Sequence, residues 1–203
     1  MTVALIDYGA GNLRSVHNAL LAAGARDVAV TADPTVIARA DRIVLPGVGA
    51  FASCMAGLVA IDGLVAALER RVLGDGVPFL GICVGMQLLA DAGEEHGRHA
   101  GLGWIGGTVR AFDPAPGLRV PHMGWNDVVP TRGHPVLAAG EAYYLHGYYF
   151  ADAGESDVAA MSEHGGRFVA AVAKGNMVGV QFHPEKSQGY GIATLERFLA
   201  WRP

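Results

Sequence analysis

Apolar residues follow two rhythms along this chain. In the first half, short unbroken apolar runs alternate with stretches of helical spacing. Val3-Ala4-Leu5-Ile6-Asp7-Tyr8 is such a run, closed by Gly9-Ala10-Gly11-Asn12, and it predicts a buried strand and a turn. Leu13, Val16, Leu20 and Leu21 then recur at helical spacing until Gly24. Residues 27–31 predict a second strand, and Asp33-Pro34 supplies a capping residue followed by proline at the first helical position. Arg42-Ile43-Val44-Leu45 predicts a third strand running into Pro46-Gly47-Val48-Gly49. Helices are expected around residues 51–58 and 64–72, the second ended by Gly74 and Gly76. Pro78-Phe79-Leu80 reads as another buried strand. It turns sharply at Gly81-Ile82-Cys83-Val84-Gly85 into a helix with Met86, Leu89 and Ala90 on one face.

From Gly101 onward helical periodicity fades. Short β-like runs replace it, at residues 108–112, 127–129, 143–150 and 157–161. Residues 168–173 and 177–183 flank Lys174-Gly175-Asn176, a good hairpin turn. A closing helix is expected over residues 190–201, with Ile192, Leu195, Phe198 and Leu199 on its apolar face. Strands alternating with helices predict right-handed crossovers and a mostly parallel α/β sheet, extended by antiparallel strands in the C-terminal half. In such a sheet, sites lie at the carboxyl ends of strands, where residues 46–49 and Cys83 fall.

Composition narrows this picture. The 203 residues are enough for one domain, 1–203, with a sizeable core, and no linker, repeat or low-complexity segment divides them. The formal charge of -4 and the lack of a basic run give no reason to expect nucleic acid. Cys54 and Cys83 make no disulfide framework, so a reduced, cytoplasmic setting is expected. The N-terminus meets Asp7 too early to read as a signal peptide. Residues 43–61 carry no charge, but Pro46, Gly47, Gly49 and Gly57 interrupt them, so strand, loop and helix is expected rather than a membrane span.

Gly81-Ile82-Cys83-Val84-Gly85 has the logic of a nucleophile elbow. Flanking glycines allow a tight turn, and the central residue is pushed out at a helix start, where unpaired N–H groups favour an anion and hence a nucleophilic thiolate. The bland alternative is a small buried cysteine. A base candidate is His183, at the end of the apolar run Gly179-Val180-Gln181-Phe182, with Pro184 halting the strand and Glu185 near enough to orient the imidazole. Cysteine, histidine and carboxylate make the nucleophile, base and orienter of covalent acyl transfer. Of the other seven histidines, His17, His96, His99, His134 and His164 are expected to face solvent, and His122 and His146 to sit in the core. No set of residues has metal-ligand spacing.

The elbow, Pro46-Gly47-Val48-Gly49 and His183-Pro184-Glu185, in that chain order, resemble the class I (triad) glutamine amidotransferases. That resemblance implies a flavodoxin-like α/β fold. It also implies Cys83 as nucleophile, His183 as general base and acid, Glu185 as its partner, and hydrolysis of L-glutamine to glutamate and ammonia through a γ-glutamyl thioester. The oxyanion needs backbone donors, expected from Val84 and from the facing loop at Val48 and Gly49. Asp7-Tyr8-Gly9-Ala10-Gly11-Asn12-Leu13, Pro121-His122-Met123-Gly124-Trp125-Asn126 and His183-Pro184-Glu185-Lys186-Ser187 narrow the likeness to the glutaminase subunits of imidazole glycerol phosphate synthases, which serve histidine biosynthesis. The narrower resemblance implies a separate (β/α)8-barrel cyclase as partner in a heterodimer, and neither cofactor nor metal. It implies glutamine binding by Gln87, Glu95, Gly147 and Tyr148, and a cyclase-facing set of Asn12, Met123, Trp125, Tyr143 and Lys186. The family usually carries serine or threonine where this chain has Gly147. Three alternatives stay open: the glutaminase subunit of another synthase, such as that of pyridoxal phosphate synthesis; a γ-glutamyl hydrolase acting alone; and a catalytically silent binding protein.

Overall fold

In the computed structural model, which describes residues 1–203, a nine-stranded sheet runs through the molecule. The first half builds β1 (Thr2–Ile6), α1 (Leu13–Ala22), β2 (Asp27–Thr31), α2 (Pro34–Ile37), β3 (Arg42–Gly47), α3 (Phe51–Ala60), α4 (Leu64–Glu69), β4 (Phe79–Cys83) and α5 (Val84–Gln87). The second half adds β5 (Ala92–Gly93), β6 (His99–Ala100), β7 (Thr108–Ala111), β8 (His122–Pro130), β9 (Gly140–His146), β10 (Tyr148–Ala151), β11 (Val158–Glu163), β12 (Arg167–Lys174), β13 (Met177–Val180) and α6 (Gln188–Ala200). The large sheet has the order β2-β1-β3-β4-β13-β12-β11-β8-β9. β1 to β4 and β13 pair in parallel, and β12, β11, β8 and β9 extend them antiparallel.

The local signals explain the elements. The central strands β3, β4 and β13 are buried along their whole length, as continuous apolar runs covered on both faces should be. Oδ1 of Asp33 accepts the N–H of Thr35 at 2.8 Å and caps α2. Gly175 takes φ 56° in the β12–β13 hairpin. Arg42 anchors the far end of α6, donating from Nε to the Leu199 carbonyl at 2.9 Å and from Nη2 to the Trp201 carbonyl at 2.6 Å.

Residues 43–61 divide into β3, a loop and α3, and no single helix is long and apolar enough to cross a membrane. Only the pair Phe51–Ala60 and Leu64–Gly74 reaches that length and composition together. It is bent by 93°, and Phe51, Cys54, Leu58, Leu64, Leu68 and Val72 are turned into the core.

Three expectations are corrected. The helix after Cys83 stops at Gln87 instead of running through Ala90. The returning segment explains this: the amides of Leu102, Gly103, Trp104 and Ile105 take the carbonyls of Leu88, Ala90 and Leu89, which a longer helix would have used itself. Residues 143–150 are two strands, not one. The chain breaks at Gly147, leaving β9 in the large sheet and sending β10 into a second sheet of order β10-β7-β5-β6. The second sheet's two-residue strands, β5 and β6, are too short to show a period-2 pattern. Finally, His164 does not face solvent freely: it stacks on His122 at 4.1 Å, with Nε2 2.8 Å from the Arg119 carbonyl.

Candidate active site

The C-terminal ends of β3, β4 and β13, with the β9–β10 junction, surround a cavity of about 270 Å³. It is lined by Val48, Gly49, Cys83, Val84, Gln87, Glu95, Gly147, Tyr148 and His183, among others.

Cys83 ends β4 with φ 53° and ψ -113°, a strained conformation for a non-glycine residue, and α5 begins at the next residue. The glycines on either side make the turn possible. A Cβ on Gly81 would lie 2.7 Å from the Gly85 carbonyl oxygen, and one on Gly85 would collide with the Leu45 carbonyl. The elbow thus packs backbone to backbone against β3. Cys83 is 3% exposed.

His183 is held by its main chain as well as its side chain. Its N–H donates to the Tyr143 carbonyl at 2.9 Å. The hydroxyl of Ser187 donates to the His183 carbonyl at 2.7 Å and accepts the Tyr143 N–H at 2.9 Å, closing a ring between the turn at residues 183–187 and β9. Nδ1 of His183 lies 2.8 Å from Oε1 of Glu185, and both side chains are almost wholly buried. Burial disfavours charge on the imidazole, but its hydrogen bonds and charge contacts with Cys83 and Glu185 outweigh burial and raise its pKa to about 10. His183 therefore keeps its own proton through neutral pH.

Opposite Cys83, Gly49 adopts φ 105° and the Val48 carbonyl accepts from the Cys54 thiol at 3.5 Å, so the Val48–Gly49 peptide is held in one orientation. The Tyr8 hydroxyl donates to the Pro46 carbonyl at 2.7 Å, and burial pushes that phenol far above its ordinary pKa.

A cysteine at a strained elbow, a histidine whose contacts favour its charged form and a buried carboxylate behind it are the groups that a nucleophile, a proton carrier and an orienter require. The model of the glutamine amidotransferase class-I family matches residues 4–200. The chain belongs to the class-I glutamine amidotransferases. It is 63% identical to the imidazole glycerol phosphate synthase subunit HisH of Zymomonas mobilis, over all of this chain and 97% of that one. It is 52% identical to the subunit of the same name from Rhodospirillum rubrum, over the full length of both. Among solved structures, a crystal structure of a glutamine amidotransferase superposes with a TM-score of 0.75 at 20% identity, over 98% of this chain and 97% of that one. PurLQS of Thermotoga maritima does so with a TM-score of 0.72 at 18% identity and the same coverage. At those identities the structures speak for the fold alone.

Within this amidotransferase, Cys83, His183, Glu185, Val48, Gly49, Val84, Gln87, Glu95, Gly147 and Tyr148 converge on one cavity or its wall. Of the two adjacent carboxylates, Glu95 lines the cavity, whereas Glu94 is solvent-exposed and pairs with Arg98 at 2.9 Å. One Glu95 oxygen is already engaged, accepting the Phe51 N–H at 2.7 Å at the start of α3. Gln87 donates both amide hydrogens inward, to the Tyr148 carbonyl and to Oε1 of Gln181, each at 3.0 Å. Oε1 is the polar atom Gln87 has left for the cavity. Of the residues expected to face a partner, Met123 and Trp125 stand out from β8 at 67% and 46% exposure, opposite Leu145 and Tyr143 of β9. Lys186 is exposed beside the cavity; Asn12 lies apart from the cavity lining, half-buried before α1.

Two groups escaped the sequence reading. Gln181 and Ser187 are fully buried polar residues, and both bond to site residues. A buried-looking polar position inside Val180-Gln181-Phe182 was the available signal for Gln181. The second group is a directed chain of hydrogen bonds. The Asp127 N–H donates to Oδ1 of Asn126 (2.8 Å), which turns Nδ2 toward Nε2 of His122 (3.2 Å); Nδ1 of His122 faces Nε2 of His146 (3.2 Å), and Nδ1 of His146 faces the Tyr148 carbonyl (2.8 Å). A backbone N–H begins it and a carbonyl ends it, so every proton between them is placed, and both histidines are neutral.

Proposed function

We propose that this chain is the glutaminase subunit of an imidazole glycerol phosphate synthase. The observation that carries the reading is full-length identity of 63% and 52% to subunits of that name, joined to the Cys83–His183–Glu185 constellation at the strand ends. The whole chain, 1–203, is read as one amidotransferase unit.

In this reading L-glutamine enters the cavity beside Cys83. Its amino-acid end lies toward Gln87, Glu95 and the backbone at Gly147 and Tyr148. The free Oε1 of Gln87 suits an N–H of the substrate, and the Glu95 carboxylate suits its ammonium group. The Cys83 thiolate attacks the side-chain carboxamide carbon. Negative charge moves to the carbonyl oxygen, where the amide of Val84 and one from the loop at Val48 and Gly49 receive it. His183, charged beside the sulfur, donates its proton to the departing ammonia, leaving a γ-glutamyl thioester on Cys83. Neutral His183 then takes a proton from water, the resulting hydroxide attacks the thioester, and glutamate and the thiolate are released with His183 protonated again. Glu185 holds Nδ1–H of His183 throughout, which keeps Nε2 toward the reaction.

Ammonia made this way is lost to water unless an acceptor site lies close. We read the outward row of Met123, Trp125 and Tyr143, with Asn12 and Lys186, as the face for a separate (β/α)8-barrel cyclase. That subunit joins the ammonia to a phosphoribulosyl intermediate, forming imidazole glycerol phosphate and aminoimidazole carboxamide ribotide. Free thiols at Cys54 and Cys83 suit a reducing, cytoplasmic setting. The test is glutamate release from glutamine, with and without the cyclase and a ligand of its acceptor site. A slow basal rate that rises sharply with both, and vanishes in Cys83→Ala, is the expected result. A rate that ignores the cyclase overturns the assignment to this synthase.

A further inference from the structure

Gln181 lies between two apolar residues, Val180 and Phe182, and all three are wholly buried. A leucine or methionine would fill such a position without the cost of taking an amide out of water, which is on the order of 1–3 kcal/mol when its hydrogen bonds are not replaced. Gln181 replaces them with two partners, and both belong to the site. Nε2 lies 3.8 Å from Sγ of Cys83, and Oε1 accepts from Nε2 of Gln87 at 3.0 Å.

The orientation of both amides follows from the carbonyl of Tyr148. A carbonyl can only accept, so the atom of Gln87 that lies 3.0 Å from it is nitrogen. The second hydrogen on that nitrogen then needs an acceptor, which places oxygen on the near side of Gln181. Nitrogen is left on the far side, toward the sulfur. A Gln181 amide turned the other way would oppose N–H to N–H at Gln87 and present an oxygen lone pair to the sulfur.

We infer that Gln181 is a further catalytic residue of this chain: it donates a hydrogen bond to the reacting sulfur of Cys83, and through the same amide fixes Gln87 with its oxygen toward the cavity. A neutral thiol is a weak acceptor and a thiolate a strong one, so the bond is strongest when the sulfur is ionised beside a charged His183. The donation favours the charged pair of sulfur and imidazolium. It costs the sulfur some intrinsic nucleophilicity, because a stabilised anion attacks less readily. The inference concerns the sulfur whatever the substrate; its consequence for glutamine rests on the function proposed above.

Two substitutions separate these effects. Gln181→Met keeps the length and removes both hydrogen bonds. Gln181→Glu keeps the acceptor for Gln87 and replaces the donor beside the sulfur with an oxygen. Alkylation of Cys83 by iodoacetamide, followed by peptide mapping so that Cys54 is scored separately, reads the sulfur without any substrate. Both variants should slow Cys83 alkylation about tenfold near pH 7, the Glu variant more than the Met variant. The deficit should shrink as the pH is raised, because alkali favours a thiolate without the donor. Only the Met variant should also release Gln87 and raise KM for glutamine more than it lowers kcat. A second readout needs no substitution: in the wild type, the side-chain amide protons of Gln181 should shift in NMR spectra with the pH midpoint of Cys83 alkylation, and stop shifting once Cys83 is blocked. Amide signals indifferent to the state of Cys83, or alkylation unchanged in a folded variant, overturn the inference. If the wild type proves not to hydrolyse glutamine but alkylation still falls in the variants, the role of Gln181 at the sulfur stands and the proposed function falls.

Discussion

Nδ1 of His122 faces Nε2 of His146 at 3.2 Å across the β8–β9 pair, in a register that sets the two residues directly opposite each other. Both rings are buried and both protons are committed, so a charge on either ring breaks the chain that ends at the Tyr148 carbonyl. Burial, then the neighbouring His164, lowers His122 to about 4. Burial lowers His146 to about 3, against its bond to the Tyr148 carbonyl and with help from His122, His164 and His183.

The sign of the pH dependence follows. Below about pH 6.5 the unfolded chain protonates these imidazoles and the folded chain does not, so protons favour unfolding. Stability is fully present above that pH and declines as pH falls toward 4, by about 2 kcal/mol for each histidine between pH 7 and pH 5. Urea unfolding at the two pH values measures it. His122→Gln should flatten the slope; a slope equal to that of the wild type would show that the pair is not its source.

Much of this was legible before any coordinates. Each buried strand of the first half announced itself as an apolar run ending in glycine or proline, because a parallel sheet covered on both faces tolerates nothing else. The elbow and His183-Pro184-Glu185 were legible for a related reason: a sharp turn at a strand end demands particular residues over a few positions. The length of α5 was not legible, because it depends on amides of residues 102–105 that arrive from elsewhere and take its carbonyls. Nor was the break at Gly147, where Tyr143 to Phe150 keeps an unbroken β pattern while the chain changes sheets. Gln181 and the Asn126–His122–His146 chain stayed hidden for the same reason: a polar residue's partners lie across the fold, and no local period reports them.

Glu185→Gln keeps the shape of the carboxylate and removes its charge. The amide can present either oxygen or nitrogen to Nδ1 of His183, so the ring loses both its tautomer and one of the contacts that raise its pKa to about 10. In steady-state glutaminase assays of the stimulated complex, kcat should fall by on the order of 100-fold or more. The alkaline limb of the kcat/KM profile should move to lower pH, because His183 gives up its proton more easily. A limb that stays in place would assign the raised pKa to Cys83 alone.

Gly147 leaves room for a side chain in the wall of the cavity. A Cβ there would meet only Cγ1 of Val120, at an ordinary 3.6 Å. Gly147→Ser should therefore fold with stability within about 0.5 kcal/mol of the wild type. If the hydroxyl reaches the carboxylate end of glutamine, KM falls about two- to tenfold with kcat little changed. Unchanged KM would mean that backbone groups alone serve that end of the cavity.

Trp125 meets Tyr143 edge-on with ring centroids 6.1 Å apart, and both stand on the outward face of the β8–β9 pair beside Met123. Exposed aromatic residues clustered beside a cavity mouth are typical anchors of a protein interface. Trp125→Ala should weaken the cyclase complex about tenfold or more in calorimetry, while basal glutamate release stays within about twofold, since the ring does not line the cavity. Full affinity in the variant would move the interface elsewhere.

Gly49 tests whether the proposed partner acts on the chemistry through the oxyanion loop. Its φ of 105° is a conformation that an L side chain resists, yet a Cβ built there meets nothing within 4 Å. Gly49→Ala therefore adds backbone strain of about 1–2 kcal/mol without a clash. With the Val48 carbonyl tied to Cys54 at 3.5 Å, any turn of the Val48–Gly49 peptide that brings an amide toward the oxyanion must break that contact and move Gly49 to new angles. If stimulation by the cyclase works through such a turn, Gly49→Ala lowers the stimulated rate, because alanine narrows the conformations the loop can exchange between. The expected outcome is a several-fold loss of stimulation. Relieving the tie with Cys54→Ala should instead raise the basal rate by letting the peptide turn without the partner. Stimulation unchanged in both variants would mean that the loop is already set for catalysis, and that the cyclase acts elsewhere in the site.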